Sequence, residues 1–472
     1  MENVFFDKSI ERNNKTRIII YVFSFILILF LALVLKSRFS TNGILIILAI
    51  VLSFLTIYNI YFSYSILLLL LFTPYILPIH NSILFSFFVA ITLVFTYSGN
   101  FLDRLNKRVL YSFLIYFLCT LPSFFVTSKP LYSLFQSTNL FAFFVIMITT
   151  MLIINTPKKM TRVLYAFIFA VLIHSFIVIY QGMTTGERVF GLLGVFFVDL
   201  AGLGTLLSII LFFQTKGLNK LFFGIITLII FFALILTQTR NAWLSLAVSF
   251  IALVTYLIIY RKKYQINIIS ISLVLVILFF GIVFSYSVVS KTNVAFEKRL
   301  DLGSQTLQLS KNTPKGGVNS FISRIFIWHT AYMAFLKHPI TGIGLYSFKY
   351  TSNEYYKIPK SFYKGLVAGR TPHQTYIEIL TETGVIGFIG FSFFIFSLIR
   401  LIVSSLKFSG SIEDNKRTLL ICWSFIYILF SMFMTEAWLY GQLLIWFGIL
   451  IGLLSNNQKL LKKGNKSFDF IG

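Results

Sequence analysis

Apolar residues recur along this chain in runs of about 20, separated by short polar or basic segments. At about 1.5 Å per residue, such a run crosses about 30 Å of hydrocarbon as a helix. The runs predict membrane-spanning helices near 18–36, 42–58, 60–78, 82–98, 108–127, 134–154, 162–182, 193–213, 219–237, 241–260, 266–288, 376–404, 417–436 and 438–455. The second and third runs are nearly fused across Asn59, so the expected fold class is an all-α polytopic membrane protein with 12–14 transmembrane helices.

The distribution of charge predicts how these helices are oriented. Of the 472 residues, 57% are hydrophobic and 12% are charged, and the formal net charge is +25. With the N-terminus inside, the inner segments hold 23 of the 40 Lys and Arg residues, and the short outer segments hold 5. This bias predicts that both termini are cytoplasmic, and it explains the charge without a nucleic-acid partner.

One long segment, 289–375, is predicted to be a large loop on the outer side. It lies between an N-terminal bundle of about 11 spans at 1–288 and a C-terminal part with three spans and a basic tail at 376–472. The loop holds 12 basic and three acidic residues. Because a loop of this length is exempt from the charge bias that orients membrane proteins, its basic residues need another cause. We therefore expect the functional residues of the protein to lie in this loop.

The loop contains one stretch with helical periodicity, at 321–336. This stretch predicts an amphipathic helix that lies at the membrane surface. The residues that can form its apolar face are Ile322, Ile325, Phe326, Trp328, Ala331 and Tyr332. Pro339 and the glycines of the following TGIG sequence end this helix. His329, on the same helix, is a candidate supporting residue.

Arg240 lies in the sequence LTQTRNAWL, at the outer boundary between two spans. One interpretation is an anchor whose charged end reaches the interface. The other is an anion site, because the helix that follows presents its N-terminal amides to the same side. Gln238 is a candidate supporting residue in the same sequence. Arg324, on the loop helix, either faces lipid headgroups or covers a phosphate bound at Arg240.

His373 lies in the sequence RTPHQTYIEILTETGVIGF, just before the first span after the loop. One interpretation is a polar side chain that only contacts the membrane interface. The other is a general base, because the ordinary pKa of histidine, about 6.5, suits proton transfer near neutral pH. Arg370 adds positive charge nearby. Glu378 and Glu382 share one face of the helix that starts here; they either complement its dipole or orient His373 or an arginine. No motif for metal or ATP binding is present in the sequence.

Three segments resemble the motif regions of the bacterial O-antigen ligase and polymerase family. They are LTQTRNAWLSL, SRIFIWHTAYMAFLKHPITGIGLYSF and PHQTYIEILTETGVIGF, which cover about 237–248 and 321–390. Their order, the large loop and the three following spans also match. Many members carry Asn directly after the histidine, where this chain has Gln374, and that difference bears on the acceptor side. Before about residue 190, the chain is similar to the family only in hydropathy.

The resemblance implies a GT-C-like glycosyltransferase fold in the bacterial inner membrane, with the active site facing the periplasm. The implied reaction is a metal-independent, inverting transfer of a glycan from undecaprenyl diphosphate, without a cofactor. By motif, Arg240 and Arg324 would hold the diphosphate, His373 would be the base, and no metal would be bound.

The acceptor distinguishes the alternatives within this family. An O-antigen ligase uses lipid A–core, whereas an O-antigen polymerase uses a second lipid-linked glycan. The tryptophan of TRNAWL and the RIFIWH helix favour the ligase. A protein-glycosylating relative is a third alternative. From a different class, a lipid-linked glycan transporter would place charges at mid-span. Asp199 is the clear candidate for such a charge.

Overall fold

The computed structural model describes residues 105–185, 189–264, 320–408, 410–435 and 441–468. Every regular element among these residues is helical. The helices are α1 Lys107–Thr120, α2 Pro122–Val126, α3 Pro130–Ile153, α4 Pro157–Thr185, α5 Phe196–Gln214, α6 Gly217–Leu236, α7 Arg240–Ile259, α8 Arg261–Tyr264, α9 Ser320–Lys337, α10 Phe348–Thr351, α11 Lys360–Phe362, α12 Thr375–Lys407, α13 Ile412–Met434 and α14 Gly441–Phe468. A π-helical turn, Tyr363–Val367, follows α11. The spans predicted before residue 100 and at 266–288, and the loop residues 289–319, lie outside the described residues.

Eight helices in the described part of the chain are long and apolar enough to cross a membrane, so the protein is a polytopic membrane protein. They are Lys107–Val126, which comprises α1 and α2, then α4, α5, α6, α7, α12, α13 and the segment Leu443–Lys462 of α14. Helix α3 coincides with a ninth predicted run, and its apolar stretch Ser137–Ile153 is shorter. The predicted count of 12–14 includes runs outside the described residues.

Helix α5 is the most deeply buried of the described spans, because apolar residues occupy every side of it. It packs against α4, α6, α7 and α13. Gly202 permits the closest of these contacts, since a Cβ there would lie 1.9 Å from the Tyr427 hydroxyl oxygen on α13. A second contact in the bundle interior stacks Phe167 of α4 on Trp446 of α14, with ring centroids 4.1 Å apart.

Hydrogen bonds define one end of the bundle, which we call the Arg417 end. The Arg417 Nε atom on α13 donates to Asn457 Oδ1 in the second half of α14, at 2.8 Å. Gln214, at the end of α5, donates to the Lys416 carbonyl at 3.1 Å. Lys263 on α8 donates to the carbonyls of Leu406 and Phe408 at the end of α12, and burial lowers the pKa of its ammonium group. The ends of α5, α7, α12 and α14 therefore meet the start of α13 here.

The described part of the loop has its own apolar core, built on α9. Ile327, Ala331 and Ala334 of this helix are buried against Phe348, Tyr355, Tyr363 and Val367, among others. Burial, with Glu354 nearby, raises the pKa of the Tyr355 hydroxyl. Ile325, Tyr332 and Leu336 of α9 stay exposed. The predicted apolar face is therefore split between two surroundings. Ala331 packs in the loop core, whereas Ile325 and Tyr332 form a narrower exposed face that can contact a membrane surface.

The loop is joined to α12 at a break in that helix. Gly384 has φ 63° and ψ −167°, so the helical pattern is interrupted there. The amides of Val385 and Ile386 donate instead to the carbonyls of Pro339 and Ile340, at 2.9 and 3.3 Å. In return, the amides of Ile343 and Gly344 donate to the carbonyls of Thr381 and Glu382, at 3.2 and 2.9 Å. The TGIG turn therefore satisfies the backbone groups that the break exposes.

This break divides α12 into two parts with different surroundings. Residues 375–383 belong with the loop, and the remaining stretch, 385–407, is about 35 Å long at 1.5 Å per residue. That length alone crosses a bilayer. The break therefore sets the first turns of α12 apart from its span, together with the segment that carries His373.

We expect Gly384→Ala to destabilise the protein more than Gly369→Ala. A Cβ at Gly384 would lie 2.3 Å from the Ile340 carbonyl oxygen, whereas a Cβ at Gly369 meets nothing within 4 Å. Both glycines have positive φ, which costs an alanine about 1–2 kcal/mol in the left-handed region, so the control accounts for that cost. Gly384 adds the steric clash and a ψ of −167° that is almost restricted to glycine. Thermal unfolding of the purified variants measures this; equal losses would show that the joint between the loop and α12 is unimportant for stability.

Candidate active site at the Met434 end of the bundle

Three segments distant in sequence converge on the last carbonyls of α13, at the opposite end of that helix from Arg417. The Met434 carbonyl accepts hydrogen bonds from Arg324 Nη1 at 3.2 Å and from Asn241 Nδ2 at 3.1 Å. The Thr435 carbonyl accepts from the Thr375 amide at 3.2 Å and from its hydroxyl at 2.8 Å. These carbonyls have no partner within their own helix, which explains why side chains bind there. We call this region the Met434 end.

Arg240 is the first residue of α7, and it is half-buried at this end. The chain reverses before it through Gln238, which is buried with φ 50°. Trp243 closes the reversal, because its indole donates to the Leu234 carbonyl at 3.3 Å. The N-terminal amides of α7 and the Arg240 guanidinium are therefore presented together, as an anion site requires.

Arg324 is half-buried on the loop helix α9, and its guanidinium reaches the same oxygen as the side chain of Asn241. Because Asn241 directly follows Arg240, the two arginines predicted to hold a diphosphate lie around one helix end. The bond from Arg324 Nη1 to Met434 anchors this side chain at the helix end.

His373 lies between two fixed points, and its φ is 54°. On one side, the Trp328 indole donates to the Pro372 carbonyl at 2.9 Å. On the other side, Gln374 caps α12, because its side-chain oxygen accepts from the Ile377 amide. Positive φ at a residue other than glycine costs free energy and is often found at functional sites. The half-buried imidazole is thus attached to a firmly held backbone two residues before Thr375.

Asp199 adds a fifth helix, α5, to the Met434 end. It lies in the first turn of α5, and its carboxylate accepts from the Ser431 hydroxyl at 2.7 Å. Ser431 in turn lies 3.2 Å from the Thr435 hydroxyl. The sequence suggested Asp199 only as a mid-span charge, and the structure corrects this by placing it at a helix end. Its position three residues after the start of a helix was the available signal.

Glu382 and Glu378 are both buried on α12. The Glu382 carboxylate accepts hydrogen bonds from the amides of Tyr346, at 2.5 Å, and Phe348, at 3.1 Å. Glu382 thus holds the segment after the TGIG turn, and Tyr346 has φ 58° there. Glu378 lies in the first turn of α12, where a negative charge complements the helix dipole.

The remaining candidate residues also belong to the loop. Arg370 is exposed, and its guanidinium donates to the Gly365 carbonyl at 3.1 Å, which fastens the π-helical turn. His329 is half-buried on α9, and its Nδ1 atom has no hydrogen-bond partner among the described residues. In that same part of the chain, no group of three or more His, Cys, Asp or Glu side chains could hold a metal ion.

Comparison with known proteins matches residues 225–392 to a family described as O-antigen ligase. The matched segment contains Arg240, Arg324 and His373, and it ends before α13. An uncharacterised protein of Haemophilus influenzae strain Rd is 23% identical over 328 residues, which cover 67% of this chain and 76% of that protein.

Proposed function

We propose, from the premise that this chain carries an O-antigen ligase family domain, that it transfers a glycan from undecaprenyl diphosphate to lipid A–core at the Met434 end. Members of the family are membrane glycosyltransferases that use undecaprenyl-diphosphate-linked glycan donors. The finer assignment, to a ligase with a GT-C-like fold and an active site facing the periplasm, is our proposal.

One observation carries the assignment of the site to this end. Arg324 and the residue after Arg240 bind one carbonyl oxygen, and Thr375, two residues after His373, binds the next carbonyl along the chain. A diphosphate leaving group needs cations, and arginines supply them without a metal. A lipid-linked donor also needs access from the bilayer, which a site among the ends of membrane-spanning helices provides.

The mechanism that fits this arrangement is a single displacement. The His373 imidazole accepts the proton of the acceptor hydroxyl while the hydroxyl oxygen attacks the anomeric carbon. The bond from that carbon to the diphosphate oxygen breaks, and undecaprenyl diphosphate leaves with the bonding electrons. Arg240 and Arg324 stabilise the charge that develops on the leaving group, at about 1.5–3 kcal/mol for each charged hydrogen bond. The donor bond supplies the driving force, so no nucleotide is needed.

The charges at the two ends of the bundle support an outward-facing site. Arg108, Lys159, Arg261, Arg400 and Arg417 all belong to helix ends at or near the Arg417 end. Cytoplasmic ends of membrane helices are enriched in such residues. The Met434 end therefore faces the periplasm in this proposal, where lipid A–core and the donor glycan are both available.

A deletion strain should distinguish a ligase from a polymerase. If this protein is the ligase, lipid A–core runs bare on a lipopolysaccharide gel, and the polymer stays on undecaprenyl diphosphate. Reintroducing the gene should restore the ladder of lipopolysaccharide bands that carry the polymer. Cores capped with a single repeat unit would instead identify a polymerase, and an unchanged gel with an unglycosylated surface protein would identify a protein-glycosylating relative.

A further inference from the structure

The Arg417 end contains a cavity of about 410 Å³, far from the candidate active site. It lies between the start of α1, the end of α12 and the end of α14, and its lining includes Arg108, Arg400 and Lys462. Arg400 lies 15 residues after Val385 in the unbroken part of α12, which is about 22 Å of helix at 1.5 Å per residue. The glycan-transfer site does not use these residues, so the cavity needs its own explanation.

The charges of the cavity point to an anionic ligand. Its three cationic side chains come from three different helices, and no carboxylate is among the described residues that line it. All three cations are also exposed, so an anion can reach them. Bringing three like charges together costs free energy unless an anion offsets it. The bias of basic residues toward this end explains their number, but not that three of them line one cavity.

A buried hydroxyl group in the lining gives a second, independent indication. Ser397 on α12 lines the cavity and is only 6% exposed, and its Oγ atom has no hydrogen-bond partner among the described residues. A buried polar group without a partner costs about 1–3 kcal/mol, so one is expected in the native membrane. Nearby, Gln458 Nε2 donates to Ser404 Oγ at 2.6 Å, which fixes a second hydroxyl in the lining.

The surroundings favour a lipid over a soluble anion. Phe396, Arg400 and Val403 share one face of α12, and Phe396 and Val403 are 62% and 44% exposed. Phe396 lies one turn from Arg400 toward the middle of the span. A phosphate bound at Arg400 would thus have an exposed apolar surface beside it for its acyl chains. Basic pockets between membrane helices are known to bind anionic headgroups in this manner.

We propose that the cavity formed by Arg108, Arg400, Lys462 and Ser397 binds the phosphate of an anionic membrane phospholipid. The three cations neutralise the phosphate, and the Ser397 hydroxyl donates to one of its oxygens. The bound lipid joins the start of α1 to the ends of α12 and α14, so it stabilises the folded protein by mass action. This proposal does not depend on the proposed function.

The test compares thermal unfolding of the full-length protein in two kinds of nanodisc, phosphatidylcholine alone and an equal mixture with phosphatidylglycerol. We expect the anionic lipid to raise the Tm of the wild type by about 2–4 °C. Changing Arg108, Arg400 and Lys462 to Gln should remove this rise. A matched control changes Lys216, Arg261 and Lys262 to Gln: these exposed cations lie at the same end but do not line the cavity, so the rise should persist.

Ser397→Ala gives a milder variant that keeps all charges. We expect it to reduce the lipid-dependent rise while unfolding normally in phosphatidylcholine. If the cavity variant and the control variant lose the lipid-dependent rise in Tm equally, the proposal is contradicted. Such a result would show that anionic lipid acts on the basic surface in general and not at the cavity. An unchanged rise in Ser397→Ala would likewise exclude the cavity as the site. A comparable rise from inorganic phosphate in phosphatidylcholine nanodiscs would identify a soluble anion and overturn the lipid assignment.

Discussion

Replacing His373 with Ala should reduce glycan transfer by about 10²–10⁴-fold while the protein stays in the membrane at a normal level. The imidazole is the group proposed to accept the acceptor proton, and alanine cannot replace it. The backbone there is held by the bond from Trp328 to Pro372 and by the Gln374 cap, neither of which needs the imidazole. The lipopolysaccharide gel of a deletion strain carrying the variant should therefore resemble that of the deletion itself.

His338→Ala is the matched control for this variant. His338 is also a half-buried histidine of the loop, but its ring meets the edge of Tyr355 in the loop region away from the Met434 end. We expect this variant to keep the ladder. Full transfer by His373→Ala would remove the general-base assignment, and loss of the protein from the membrane would assign His373 a structural role instead.

Replacing Arg240 with Lys should lower the rate of transfer by about 10- to 100-fold. This corresponds to losing one charged hydrogen bond of about 1.5–3 kcal/mol from a two-point contact with the diphosphate. Lysine keeps the positive charge, but its ammonium group cannot make the two parallel hydrogen bonds that a guanidinium makes. The measurement is the initial rate of product formation by purified protein with an undecaprenyl-diphosphate-linked glycan and lipid A–core.

Arg261→Lys makes the same chemical change after the other end of α7. Arg261 is exposed and belongs to the Arg417 end, so the variant should transfer at the wild-type rate. If Arg240→Lys is equally active, the anchor interpretation of Arg240 applies, because an anchor needs only the charge.

The predicted helices in the described part of the chain agree with those observed, because a run of about 20 apolar residues is a strong signal. The run predicted at 219–237 corresponds to Gly217–Leu236, and that at 241–260 to Arg240–Ile259. The break in α12 was not predictable in the same way. TETGVIGF is compatible with a continuous helix, and only the partners of the TGIG turn, 40 residues away, show why Gly384 departs from helical geometry.

The candidate residues were recognisable because their motifs place charged and titratable groups beside helix starts. Their meeting point was not, because Met434 and Thr435 are ordinary residues in the sequence and lie 110 residues from Arg324. The position of Asp199 at the Met434 end was not predicted for a similar reason, since its partner Ser431 is 232 positions away. Glu382 was identified as a candidate, but its binding to backbone amides of the loop depends on a fold that periodicity does not encode.

In the proposed mechanism, Arg240 and Arg324 hold the diphosphate and His373 takes the proton. The most direct measurement determines, for purified wild type and His373→Ala in nanodiscs, the donor Kd and the single-turnover rate of transfer. This mechanism predicts a Kd within about twofold of the wild-type value and a rate at least about 100-fold lower. A donor affinity that falls in proportion to the rate, or a rate that does not fall, would contradict it.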